Sequence, residues 1–461
     1  MKVMKFGGST IKTPKMMKRA AEIIKNEEEK KAVVVSALFG QTNEIRGFLS
    51  GIETEGGRID AFIAGIRKRH MAMTSKTISN KNIEKRVEVE VDRLLLRLER
   101  LLYGAAYTEE LTPRTSDLIL SSGERLSAQI MGGVLESMNV NAKAYEADSI
   151  GVLTDGVFGS ATANLGATEK KMKKTLLPEI KSGTLPVITG FFGCDENGCT
   201  TTFGKNGSDY SAAVLAYALK AKKLELWKDV DGFMSADPGL AEKAYTIERL
   251  SYDEAAELAY FGISLLHPRT VGPVRLRDIP IVIKNIKRPK NDATTIGKKS
   301  YRAPNIVKSV VYTDDLVEVR VSGSGAGLRP GVLSHVSGAL EKSKINIYSV
   351  STSHTHLSML IFRRDLPECL RALKRVSKGP IEQVESKKDI ALVCVVGQGM
   401  RDSSGLAARI FSAVANAGVN VEGISAGASH VASHFLINKS DLEKTIRAIH
   451  SEFCESRTIL R

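Results

Sequence analysis

Short apolar runs that end in glycines and hydroxyls, each followed by a helical stretch, recur through about the first 300 residues, and this alternation most constrains the fold. Strands that repeatedly feed helices build an α/β domain around a largely parallel sheet. Residues 3–6 run into Gly7-Gly8, and Thr13-Pro14 reads as the N-cap and first residue of a helix through Ile24. Residues 32–36 read as a buried strand by length and β-branching. Further strands are predicted at 185–192, 224–227 and 279–283, with a helix at 208–219. Residues 84–103 space Val87, Val91, Leu94, Leu95, Leu98, Leu101 and Leu102 as the buried face of an amphipathic helix.

At 461 residues the chain exceeds what one core sustains, so two to three domains are expected. The pattern breaks over 287–305 into a polar, proline-bearing stretch that marks a boundary. Beyond it lies an internal repeat. Gly331-Val332-Leu333 and a helix lead to Ile345-Asn346-Ile347, and Gly405-Leu406-Ala407 and a helix lead to Val419-Asn420-Val421. Each copy reads as a β-α-β-β-α unit with glycine at the strand-to-helix turn, the layout of a small-molecule-binding regulatory module. The expected domains are 1–305, 312–385 with a returning strand near 456–461, and 388–455.

Composition narrows the setting. No apolar run approaches the roughly 20 residues of a membrane span, and the glycine-rich start does not resemble a secretory segment, so a cytoplasmic protein is expected. The net charge of +14 is scattered rather than blocked. That pattern suits a polyanionic nucleotide better than a nucleic-acid groove. Five cysteines without a CxxC pair read as reduced thiols.

Five segments at predicted strand ends carry chemistry. In Lys5-Phe6-Gly7-Gly8-Ser9-Thr10, paired glycines let backbone N–H groups approach phosphate oxygens while Lys5 supplies positive charge. Ser36-Ala37-Leu38-Phe39-Gly40-Gln41-Thr42-Asn43 sits at a strand's carboxyl end, where open α/β sheets bind ligands. Ser121-Ser122-Gly123-Glu124-Arg125 places a carboxylate at a helix start, which is equally the position of a dipole partner. Thr202-Phe203-Gly204-Lys205-Asn206-Gly207-Ser208-Asp209 joins a hydroxyl- and glycine-rich loop to a helix, where Ser208 and Asp209 also suit capping. Lys228-Asp229-Val230-Asp231-Gly232-Phe233 and Asp237-Pro238 follow a further strand, as metal-nucleotide partners or as a solvated acidic turn.

Taken in order over nearly the whole chain, these motifs resemble the aspartate kinase family of the amino-acid kinase superfamily, and the C-terminal repeat resembles its tandem ACT domains. The resemblance implies an open, mostly parallel sheet with helices on both faces, followed by two ferredoxin-like α+β ACT domains. It implies transfer of the ATP γ-phosphoryl to the β-carboxylate of L-aspartate with Mg2+. By motif, Lys5 would neutralise the transferred phosphoryl, and Gly7, Gly8 and Ser9 would bind phosphate. Ser36, Thr42, Asn43 and Glu124 would hold the substrate, Glu124 by its ammonium. Lys205 and Ser208 would hold the α-carboxylate, and Asp209 would orient either the lysines or the metal. Lys228, Asp229, Val230, Gly232, Phe233, Asp237, Pro238 and Ser264 would surround ATP. A homodimer or dimer of dimers is also implied.

Four positions depart from the family pattern. Lys205 stands where arginine is usual, Asn206 where glycine is, Lys228 where threonine is common, and Ser264 where lysine is. A lysine at 205 keeps charge but loses the bidentate fork. Lys228 is expected to take over the charge missing at 264. In the repeat, an amino-acid effector would meet Gly331, Asn346, Ser353, Gly405, Asn420 and Ser429. His354, His430 and Tyr348 replace carboxylates that an effector ammonium would need, which favours threonine, or no effector, over lysine. His354, His356, His430 and His434 read as ordinary polar strand residues.

Overall fold

The computed structural model describes residues 1–52, 58–262, 265–290, 292–299, 301–323, 330–376 and 381–455. Ten strands fall in the N-terminal part: β1 (Lys2–Phe6), β2 (Lys31–Val35), β3 (Ala142–Tyr145), β4 (Leu185–Thr189), β5 (Phe192–Cys194), β6 (Thr200–Thr202), β7 (Leu224–Lys228), β8 (Arg249–Ser251), β9 (Ile281–Asn285) and β10 (Asp292–Gly297). Eight form one sheet in the order β3-β4-β2-β1-β7-β9-β10-β8, parallel except where β10 runs against β9. β1 and β7 are adjacent at its centre and buried along almost their full length. Their carboxyl ends therefore emerge side by side.

Local chemistry explains the elements that feed this edge. Thr13 caps the helix Pro14–Lys25, its hydroxyl accepting from the Met16 N–H at 3.3 Å, with Pro14 at the first position. The helix Gly207–Ala218 is buried nearly all round, which an amphipathic surface helix would not be. The strand predicted over 185–192 is instead two. Phe191 adopts a positive φ of 74°, and Gly190 lies so close to Ser208 that a β-carbon there would sit 2.7 Å from the Ser208 Cβ. The chain must turn at this point, and β5 pairs with β6 as a separate hairpin.

The described chain divides into two compact units that do not follow sequence order. One comprises Met1–Phe233, Glu248–Ala256 and Ser264–Ser300; the other comprises Met234–Ile247, Glu257–Ile263 and Tyr301–Arg461. The second unit carries β11 (Ser309–Thr313), β12 (Leu316–Ser322), β13 (Ser349–Thr352), β14 (His356–Phe362), β15 (Gln383–Lys387), β16 (Ile390–Val396), β17 (Val421–Ser425) and β18 (Ala432–Asn438). They form two four-stranded sheets, β13-β14-β12-β15 and β11-β16-β18-β17. The expected nesting is thereby reversed. β11 precedes the first module in sequence yet pairs antiparallel with β16, so the first module is inserted into the second. The returning strand expected near 456–461 lies outside the described residues.

Each module has its own apolar core, around Val319, Leu340 and Met359 in the first and around Val393, Ile410 and Phe435 in the second. The segment Met234–Ile247 is tied into the second by polar contacts. Ser235 Oγ lies 2.9 Å from His450 Nε2 and accepts the Tyr245 N–H at 3.0 Å, and the Val310 N–H donates to the Ser235 carbonyl at 2.9 Å. Ser235 and His450 are fully buried. Ser235→Ala removes the acceptor of one backbone N–H and the hydroxyl partner of a buried imidazole. It is expected to destabilise this unit by about 1–3 kcal/mol, read as a lower urea midpoint.

Candidate active site

At the carboxyl ends of β1 and β7 the loops enclose a cleft of about 570 Å3. Its centre is a cluster of three charges, Lys5 and Asp209 buried and Lys228 half-buried. Lys5, near the end of β1, places Nζ 2.6 Å from Asp209 Oδ1, and Lys228, the last residue of β7, places Nζ 2.9 Å from Asp209 Oδ2. Asp209 stands in the first turn of the helix Gly207–Ala218, whose N-terminal end favours negative charge. Burial alone would raise the Asp209 pKa, but the Lys228 and Lys5 ammoniums outweigh it and hold the carboxyl well below the usual carboxylate range. Burial, and then the like charge of Lys228, push Lys5 down against the pull of Asp209. Both Asp209 oxygens are thus engaged by lysines.

The phosphate-type loop folds as its residues require. A β-carbon at Gly8 would sit 2.9 Å from the Ala37 carbonyl oxygen, so the loops after β1 and β2 are in contact through glycine. Thr10 turns inward and donates to the Gly7 carbonyl at 2.7 Å, while Ser9 donates to Asp229 Oδ1 at 2.9 Å and joins the β1 and β7 loops. Gly7, Gly8 and Ser9 line the cleft with Lys228, Asp229 and Val230.

On the β2 side, Ser36, Thr42 and Asn43 line the same cleft, the last two from the first turn of the helix Gln41–Leu49. Glu124 enters from the helix Ser122–Ser137, brought close because Gly123 lies against Ala37 with no room for a β-carbon. Glu124 is 2% exposed and its Oε2 has no hydrogen-bond partner. Burial pushes its pKa up to about 8, against the opposing influence of the Ala37 backbone, Lys5 and Ser208. A buried carboxyl group that lines a cleft and keeps one oxygen without a partner is suited to an ammonium. Lys205 and Ser208 complete the lining; Asn206 beside them adopts φ 61°, a left-handed conformation that asparagine tolerates best after glycine.

Not every expected residue arrives here. Gly232 and Phe233 turn onto β10 instead: a β-carbon at Gly232 would meet Thr294 Oγ1 at 2.2 Å, and the Phe233 N–H donates to that hydroxyl at 3.0 Å. Asp237 and Pro238 belong to the segment Met234–Ile247 of the second unit. There Asp237 accepts from the Tyr312 hydroxyl at 3.1 Å and from the Gly239 N–H at 2.8 Å. Ser264 lies outside the described residues. Arg46 lines the cleft and was not foreseen; its signal is its spacing of three and four from Asn43 and Thr42 on one helix face.

The six residues expected to meet an effector occupy matching places in the two modules. Gly331 and Gly405 open the helices Val332–Lys342 and Leu406–Asn416 with φ of 89° and 78°. Asn346 and Asn420 are exposed ahead of β13 and β17, and Ser353 and Ser429 lie in the turns that follow those strands.

This chain matches the model of the amino acid kinase family over residues 1–285, and ACT domain models over 311–375 and 393–453. Aspartokinase 1, chloroplastic, of Arabidopsis thaliana is 32% identical over 472 residues, which cover 98% of this chain and 80% of that one. The chain belongs to the aspartokinase family. Aspartokinase III of E. coli, solved with aspartate and ADP in the R-state, superposes with a TM-score of 0.86 at 27% identity, covering 98% of this chain and 99% of that one. The same protein solved with lysine and aspartate in the T-state gives a TM-score of 0.81 over the same shares of both chains. Membership explains the fold, the ATP-dependent kinase class and the paired ACT domains; no described helix is long and apolar enough to cross a membrane.

The raised pKa of Glu124 has a measurable consequence. With the cleft empty, the folded chain holds a proton on Glu124 up to about pH 8, above the ordinary carboxyl value of 4.5, so this group disfavours the folded state increasingly as pH rises between those values. An ammonium bound against Glu124 reverses the preference and releases the proton. The apparent KM for an amino-acid substrate is then expected to fall as pH rises from 6 to about 8, by up to about tenfold per unit. Glu124→Gln should flatten the slope.

Proposed function

We propose that this chain phosphorylates the β-carboxylate of L-aspartate with ATP, giving 4-phospho-L-aspartate and ADP. The observation that carries the reading is the Lys5–Asp209–Lys228 cluster in the same cleft as Glu124, whose Oε2 has no partner. Two fixed ammoniums face the place where phosphoryl charge shifts, and a buried carboxyl group gives up its proton when an amino group arrives. A carboxylate nucleophile is already ionised at neutral pH, so no strong general base is needed; orientation and charge neutralisation carry the transfer.

Each part has a role in this reading. The backbone at Gly7 and Gly8 and the Ser9 hydroxyl cradle phosphate oxygens, while Lys5 and Lys228 neutralise the transferred group. Thr42, Asn43 and Ser36 position the substrate, Glu124 grips its ammonium, and Lys205 with Ser208 faces its α-carboxylate. No cluster of three metal-ligating side chains occurs among the described residues. Since Asp209 is committed to lysines, Asp229 is the carboxylate left to assist Mg2+, which ordinarily keeps one or two carboxylates beside phosphate oxygens. When bound, Mg2+ supplies charge neutralisation between the phosphates. The paired modules fit an amino-acid effector, threonine or lysine, and a homodimer or dimer of dimers. Five free cysteines support a reducing, cytoplasmic setting.

Coupled ADP release with hydroxamate trapping tests the reaction: aspartate should yield a hydroxamate, while glutamate and acceptor-free controls should not. ADP release independent of acceptor would sink the reading. The charge at 228 is tested separately. Lys228→Thr should raise the KM for ATP about tenfold or more, and adding Ser264→Lys should restore it; a double variant no better than the single one refutes the exchange. Asp209→Asn should lower kcat on the order of 10²–10³-fold, as both ammoniums lose their anchor.

A further inference from the structure

We infer that Arg46 is a second cationic anchor for the α-carboxylate of the amino-acid substrate, an inference that rests on the aspartate-kinase reading above. Four cationic side chains line the cleft: Lys5, Arg46, Lys205 and Lys228. Two are committed, since Lys5 and Lys228 share Asp209. The Arg46 guanidinium and the Lys205 ammonium form no hydrogen bond or ion pair with any described residue. A cleft that keeps two such cations in reserve is built for an anion beyond the transferred phosphoryl.

The position of Arg46 selects which anion. Thr42, Asn43 and Arg46 belong to the helix Gln41–Leu49, and all three line the cleft. Spacings of three and four put them on one stripe of that helix. Helical side chains lean toward the N-terminus, so the long Arg46 side chain reaches back over about one turn, roughly 6 Å, toward Thr42. The acid of this helix cannot quench it. Glu44 pairs at 2.5 Å with Arg69, which also donates to Gln41 at 3.1 Å, so that side of the helix is engaged elsewhere. Arg46 thus sits with the residues that position the amino acid, whereas the phosphate-facing loops follow β1 and β7.

Chemistry supplies the need. Lys205 is exposed and offers a single point charge to an α-carboxylate. A guanidinium presents two parallel N–H donors that match the two carboxylate oxygens and remains charged at any working pH. Arg46 therefore supplies from a neighbouring helix the fork that position 205 lacks. It marks the ligand as one with a free α-carboxylate beside the ammonium held by Glu124.

Steady-state kinetics of Arg46→Gln tests this. The KM for L-aspartate is expected to rise about tenfold or more while the KM for ATP stays within about twofold and kcat changes little. Lys205→Arg in the Arg46→Gln background should recover most of the loss, because it restores a fork at the same carboxylate. A parallel rise in the KM for ATP, or no change in either constant, overturns the assignment. Calorimetric binding of L-aspartate, and of its α-amide, keeps this apart from the reaction itself. Arg46→Gln should weaken aspartate but not the α-amide, which lacks the charge in question; equal weakening of both overturns the anchor. A wild type that binds aspartate in this way yet releases no ADP overturns the kinase reading and leaves the anchor standing.

Discussion

One buried carboxylate organises the cleft. Asp209 holds two ammoniums that would otherwise repel: unit charges 5 Å apart cost about 3 kcal/mol at an effective dielectric near 20. Withdrawing three ionised groups from water is unfavourable unless each is met, and here each lysine meets an oxygen of its own. The arrangement is possible only because β1 and β7 are neighbours in the parallel sheet, with Lys5 opposite Leu226 and Lys228 at the next strand's end. The helix that carries Asp209 begins at the same edge. Sheet order, helix placement and charge pairing are thus a single solution to one electrostatic problem.

The parts of this solution were unevenly legible. Continuous β-branched runs and glycine pairs announced the strands and the loops, because those signals are local. Lys5 and Asp209 could be named as site residues from their loops. The convergence of Lys5 with Asp209 and Lys228 is not legible, since residues more than 200 positions from Lys5 become its neighbours through strand order, which no local pattern encodes. Arg46 was missed for a different reason: arginine on an amphipathic helix ordinarily faces water, and only the cleft lining separates it from that background. Asp237 and Pro238 follow β7 closely in sequence, yet the segment that carries them belongs to the second unit, where Asp237 accepts two hydrogen bonds.

The regulatory modules show the same limit. Two copies of one pattern were visible at a spacing of 74 residues, yet the direction of nesting was not. A five-residue apolar strand such as β11 pairs equally well with either sheet as far as its own sequence shows. Its partner is decided by β16, whose seven residues are all buried and need neighbours on both edges. Placing β11 beside β16 completes that strand's hydrogen bonding and leaves the first module contiguous from β12 to β15.

Two carboxylates in one cleft are driven in opposite directions by their surroundings, and that separation assigns their tasks. Asp209 is kept ionised by two cations, so it is a permanent counter-charge and never a proton acceptor in the working range. Glu124, equally buried but facing Lys5 only at a distance, drifts upward to about 8 and keeps an oxygen without a partner. A basic carboxylate near a substrate invites the role of general base. The chemistry argues otherwise, because the attacking β-carboxylate has no proton to give up. In the reading proposed above, Glu124 serves recognition: an arriving ammonium displaces its proton and gives the free Oε2 a partner, so that binding of an amino acid, rather than of any dicarboxylate, completes the electrostatics of the cleft.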